Sequence, residues 1–165
     1  NMETAFETFD VNPANICLEI KETSATNHLV GAREFLESLR QRGVLIALDD
    51  FGKGATSFAN LQNIDLDHLK IDGAFVRQLG EDKVATTIVA SIQQVAKSMN
   101  IRTVAEKVEN EQAVAHAKAL GIDMAEGFCL HKPQPMEEII NGLSQGEGGQ
   151  SPSEEETVTE ALYAG

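Results

Sequence analysis

The chain has 165 residues, 42% of them hydrophobic and 24% charged, with a formal charge of -13. That size and balance fit one soluble domain with a real core and exclude a chain disordered throughout. An acidic protein gains nothing from its overall field on meeting nucleic acid or an anionic membrane surface, so neither is expected as a partner, and any phosphate ligand needs local cations or metal ions.

In chain order, the opening stretch NMETAFETF sets Met2, Ala5, Phe6 and Phe9 on one helical face with nothing before it to pack on, so a fragment of a longer chain is expected. ICLEI (16–20) reads as a strand. A helix follows over 27–42, with Leu29, Leu36 and Leu39 on one side and Gly43 as its stop. VLIALD (44–49) and HLKID (68–72) are the next strands. The clearest helix covers 82–99, where Val84, Ile88, Ile92, Val95 and Met99 recur at helical spacing behind Asp82. IRTVAE (101–106), a helix over 111–120 closed by Gly121, and IDMAEG (122–127) complete the pattern. Residues 144–165 hold five acids and no Lys or Arg. They read as an acidic, disordered tail after a domain spanning 1–143.

Cys17 and Cys129 lie far apart inside apolar runs, which argues against a disulfide framework. No run approaches the roughly 20 apolar residues of a membrane helix, and no basic-then-apolar leader opens the chain. A reduced, cytoplasmic setting fits best.

Strand, helix, strand is the rhythm of a parallel sheet, and the class is α/β. A closed barrel competes with an open doubly wound sheet. Each strand carries charge at or near its C-terminal end: Glu19, Asp49 with Asp50, Lys70 with Asp72, Glu106, and Glu126. In a barrel those ends converge on the face where active sites are built. An open sheet usually adds a glycine-rich phosphate loop after its first strand, and no G-x-G-x-x-G follows any strand here. The barrel is favoured. Since a full one takes about 250 residues, it is incomplete at the N-terminus, with about five strands present and about three expected upstream.

Glu19, Asp49, Asp50 and Glu106 gathered around Lys70 would repel one another, and a single lysine cannot neutralise four acids. Either some are protonated or hard divalent cations sit among them; oxygen-only ligation points to Mg²⁺ or Mn²⁺. The bland alternative is that each acid caps a helix or sits solvated in a loop, and that Lys70 snorkels outward. Yet five charged strand ends in succession resist that reading, and a lysine within a buried parallel strand is unusual. The four histidines are scattered without ligand spacing, and neither a G-x-S-x-G elbow nor a Walker loop occurs.

LEIKE (18–22), DDFGKG (49–54), LKIDGAFV (69–76), VAEKVE (104–109) and GIDMAEGFCLHKPQP (121–135) together resemble, in order and spacing, the later motifs of EAL-domain cyclic di-GMP phosphodiesterases. The resemblance implies a modified TIM barrel that hydrolyses cyclic di-GMP to pGpG with two Mg²⁺ or Mn²⁺ ions. It makes Glu19, Asp49, Asp50 and Glu106 metal ligands and gives Asp50 and Glu106 catalytic duty as well. Lys70 orients the attacking water, Glu22 anchors the loop after Asp50, and Glu126, Asp72 and Glu109 lie near substrate. It also implies a homodimer, through a segment over 55–61, and an upstream regulatory domain. Glu126 stands where the family commonly has glutamine, and Lys53, Ala55 and Lys107 depart as well. A non-catalytic cyclic di-GMP receptor is the second reading. The tripeptide Glu160-Ala161-Leu162 lacks strand context and is read as coincidence.

Overall fold

The computed structural model describes residues 6, 8–53, 61, 62 and 64–145. Met2 and Ala5 of the opening helical face, residues 55–60 of the expected dimer segment and the tail from 146 onward lie outside the described residues. Five strands form one parallel sheet in sequence order: β1 (Cys17–Lys21), β2 (Leu45–Phe51), β3 (His68–Ile71), β4 (Arg102–Ala105) and β5 (Met124–Ala125). Parallel neighbours joined through helices are the signature of a barrel wall. The expected α/β barrel, incomplete with five strands, is what the chain builds.

Helices α1 (Glu22–Arg40), α2 (Gly73–Val76), α3 (Lys83–Ser98), α4 (Glu111–Ala119) and α5 (Met136–Gln145) accompany the strands. Three begin on side-chain caps: Asp72 accepts the Ala74 N–H, Asp82 the Val84 N–H and Asn110 the Ala113 N–H, each satisfying an otherwise orphaned donor of the first turn. α1 begins at Glu22 rather than 27, because β1 runs into it without a loop and the Glu22 carboxylate suits the positive end of the helix. β5 is shorter than the expected 122–127, since Asp123 turns its carboxylate to Thr103 before the strand starts. α2 and α5 are additions to the expected elements. α5 follows Pro135 and opens with Glu137 and Glu138 in its first turn, a helix start that the motif-led reading passed over.

The core lies on the outer face of the sheet. Ile46, Leu48, Leu69 and Ile71 are fully buried there, joined by Ile92 and Ala96 of α3 and by Ala113 and Ala117 of α4. Alternation sends the intervening residues of each strand to the inner face, and that is where the charges stand.

Candidate active site

Two adjacent aspartates cannot share a face of a regular strand, because consecutive side chains alternate. The chain solves this by breaking the strand: pairing of β2 with β3 shifts between Leu48 and Phe51, and Asp50 takes the left-handed conformation at φ 57°. An inserted residue re-aims the side chains beside it. Carboxylate oxygens of Asp49, Asp50 and Glu106 consequently lie within 4.8 Å of one another.

Lys70 reaches into the same space from the middle of β3 and is only 6% exposed. Its ammonium donates to Glu19 Oε1 at 2.8 Å and stands 3.1 Å from Glu126, 3.4 Å from Glu106 and 4.0 Å from Asp49. Burial opposes its charge, but the hydrogen bonds and charges of Glu19 and Glu126 outweigh that and raise its pKa above the ordinary lysine value. The lysine points inward, and the snorkelling alternative fails. Glu126, whose extra negative charge stood out in the sequence, meets this cation directly.

Glu106 is the opposite case. Burial, then a hydrogen bond and charge repulsion from Asp49, push its carboxyl up to about 7 against the lowering influence of Lys70 and Lys107. Its Oε2 is buried with no hydrogen-bond partner among the described residues. A buried acceptor without a donor is costly, and carboxylates crowded so that one holds a proton form a site short of positive charge. The donor set is all oxygen, as Mg²⁺ or Mn²⁺ require. The residues present therefore fit a divalent cation, which Asp49, Asp50 and Glu106 would hold.

The remaining expected residues surround this cluster. Glu22, 2% exposed, accepts the Gly52 N–H at 3.1 Å, the contact an anchor of that turn needs. Asp72 is fully buried. Burial would raise its pKa, but the Lys53 ammonium 2.5 Å away, the Ala74 N–H and Asp50 together lower it. Glu109 is half exposed and pairs with Arg77 at 3.5 Å, away from Lys70. Glu109, Glu126 and Lys107 line a cavity of about 540 Å³ together with Phe128, Pro133 and Ile139. Gly127 closes the wall beside it: a Cβ there would stand 2.2 Å from the Val108 carbonyl oxygen. Three lysines went unassigned in the sequence reading. Lys21, Lys53 and Lys107 stand 3.5, 3.7 and 3.7 Å from Asp50; the only signal was that Lys53 and Lys107 broke the family pattern.

Fold and site together define a parallel α/β barrel segment that collects carboxylates around one buried lysine at the C-terminal ends of its strands. The family model described as EAL domain matches residues 2–133, and the chain belongs to the EAL domain family. It is 41% identical over 128 residues to "Cyclic di-GMP phosphodiesterase PdeB" of Shewanella oneidensis, an overlap covering 78% of this chain and 15% of that protein. The EAL domain of Mycobacterium smegmatis DcpA matches with a TM-score of 0.80 and 32% identity, over 92% of this chain and 66% of that one. A manganese/cyclic di-GMP complex of Klebsiella pneumoniae BlrP1 matches with a TM-score of 0.73 and 28% identity, over 77% of this chain and 32% of that one. The chain spans 15–22% of the length of such curated relatives.

Proposed function

We propose that this chain supplies the later strands of the active site of a cyclic di-GMP phosphodiesterase, which yields pGpG with two Mg²⁺ or Mn²⁺ ions. The observation that carries the reading is the orphaned, buried Glu106 Oε2 beside Asp49 and Asp50, in a pocket whose lysine is already engaged by Glu19 and Glu126. Relatives whose names give that activity, and a manganese/cyclic di-GMP complex of a similar structure, support it. Asp49, Asp50, Glu106 and Glu19 would hold the cations. Bound there, such ions acidify water and screen the charge of a phosphodiester under attack. Lys70 places a permanent positive charge at the centre of the cluster, and a water beside it would be oriented by that ammonium. Glu106, a carboxylate within reach of that water, could take up its proton. Glu22 keeps the backbone after Asp50 in place. Asp72, Glu109 and Glu126 lie around the place for the dinucleotide, with Asp72 and Glu126 held by Lys53 and Lys70.

The test is to give Mn²⁺ and cyclic di-GMP to the parent protein and to follow pGpG by chromatography. Turnover is expected. Binding without turnover would favour the receptor reading, and neither would sink both. Residues 1–165 alone are expected to turn over little, since the domain of DcpA is longer than this match; robust turnover would refute that. The same reading includes a cytoplasmic homodimer under an upstream regulatory domain, which light scattering of the parent protein tests in part. Among the described residues no helix is long and apolar enough to cross a membrane.

A further inference from the structure

Three lysines from separate segments converge on Asp50. Lys21, Lys53 and Lys107 approach Asp50 at 3.5, 3.7 and 3.7 Å, and Lys53 is simultaneously 2.5 Å from Asp72. Lys107 differs from the other two in its backbone and in what its stem lies on. Like Lys21, and unlike Lys53, it pairs within 4 Å with Asp50 alone among the described residues. Its backbone is left-handed at φ 54°, a conformation that is uncommon for a residue with a Cβ and that persists where surrounding structure enforces it. Its stem is laid over Gly73, where an added Cβ would stand 2.7 Å from both Lys107 Cβ and Cδ. The ammonium is thus held beside Asp50 by a strained residue lying on a glycine that leaves room for it, while the same side chain lines the neighbouring cavity.

A cation so placed does at Asp50 what a divalent ion would do. We propose that Lys107 is a tethered cation that competes with a divalent ion for Asp50, so that the chain keeps its second aspartate neutralised until the ion displaces the ammonium. The inference rests on the metal-dependent reading above and adds a residue-specific control to it. Competition is a linkage: whatever stabilises the lysine at Asp50 weakens the ion there by the same factor.

Mn²⁺ titration of the metal-stripped parent protein, followed through the electron paramagnetic resonance of the free ion, tests it. Lys107→Gln removes the charge, and Lys107→Gly removes the charge and relaxes the backbone. Both should bind the more weakly held ion about twofold to fivefold more tightly than the wild type, the size of a half-exposed ion pair. Thermal unfolding establishes that each variant is folded, and Lys107→Gly serves if Lys107→Gln is not. Unchanged or weaker Mn²⁺ binding in the folded variants overturns the proposal. If the wild type turns over cyclic di-GMP and binds Mn²⁺ but the variants bind no tighter, this inference alone falls; if no form binds Mn²⁺, the metal-dependent function falls with it.

Discussion

The two ends of the sheet use the same residue type to opposite effect. At the N-terminal ends of the strands, Asp67 accepts the Ile46 N–H and an Arg40 N–H, each at 2.8 Å. Asp123 accepts the Thr103 N–H at 2.8 Å, and the Thr103 hydroxyl lies between Asp123 and the Gln93 amide, which in turn reaches the Gly121 carbonyl. Those carboxylates bind strand to strand, and their donors are supplied. At the C-terminal ends, Glu106 leaves an oxygen unpartnered, Asp49 presses against it, and two residues there, Asp50 and Lys107, sit in left-handed backbone. Asp67 and Asp123 arrive with their donors, whereas Glu106, proposed as a cation ligand, keeps a buried oxygen without one among the described residues.

Four measurements would break or sharpen that contrast. Asp50→Asn in the parent protein should lower hydrolysis at least about a hundredfold, as loss of a preorganised charged group does, and should affect cyclic di-GMP binding much less; surviving turnover would take Asp50 out of the chemistry. Asp123→Ala should do the reverse, costing about 1–3 kcal/mol in urea unfolding by stripping the acceptor from Thr103, with kcat retained by the folded fraction. A fall in kcat without a stability loss would erase the distinction between the two ends.

The third concerns pH. Glu106 titrates near 7 in the folded chain against 4.5 when unperturbed, chiefly through burial. Between those values the folded, metal-free protein holds a proton that the unfolded chain has released. Its contribution to stability is therefore present at low pH and lost as pH rises through about 7. Relative to Glu106→Gln, the wild type should lose about 1–3 kcal/mol between pH 5 and pH 8; parallel stability curves would place the proton elsewhere. The smallest effect is expected from Gly73→Ala, which crowds the stem of Lys107. It should tighten Mn²⁺ binding by about twofold without altering any charge, and no change would show that the ammonium keeps its place by another route.

Much of this was legible in the chain. Periodicity located every strand to within a residue or two at each end, and charged strand ends pointed to the face where Glu19, Asp49, Lys70 and Glu106 meet. What sequence could not supply was the bulge: alternation alone would have turned Asp50 away from Asp49, and only the shifted pairing of β2 with β3 brings both to one side. The lysines around Asp50 were hidden for another reason. Lys21, Lys53 and Lys107 come from three separate segments, and nothing in their spacing says that they converge. Asp67 and Asp123 were silent too, because an acid before a strand looks like any loop residue until its donors are seen.

The backbone at position 50 also governs which residues can replace Asp50. With φ at 57°, the position accepts glycine and asparagine readily and penalises β-branched or bulky replacements. Mutational drift that preserves a folded barrel is thereby channelled toward an amide or a bare hydrogen at that spot. Copies that lose Asp50 while keeping the barrel should carry Asn or Gly there far more often than Val or Ile.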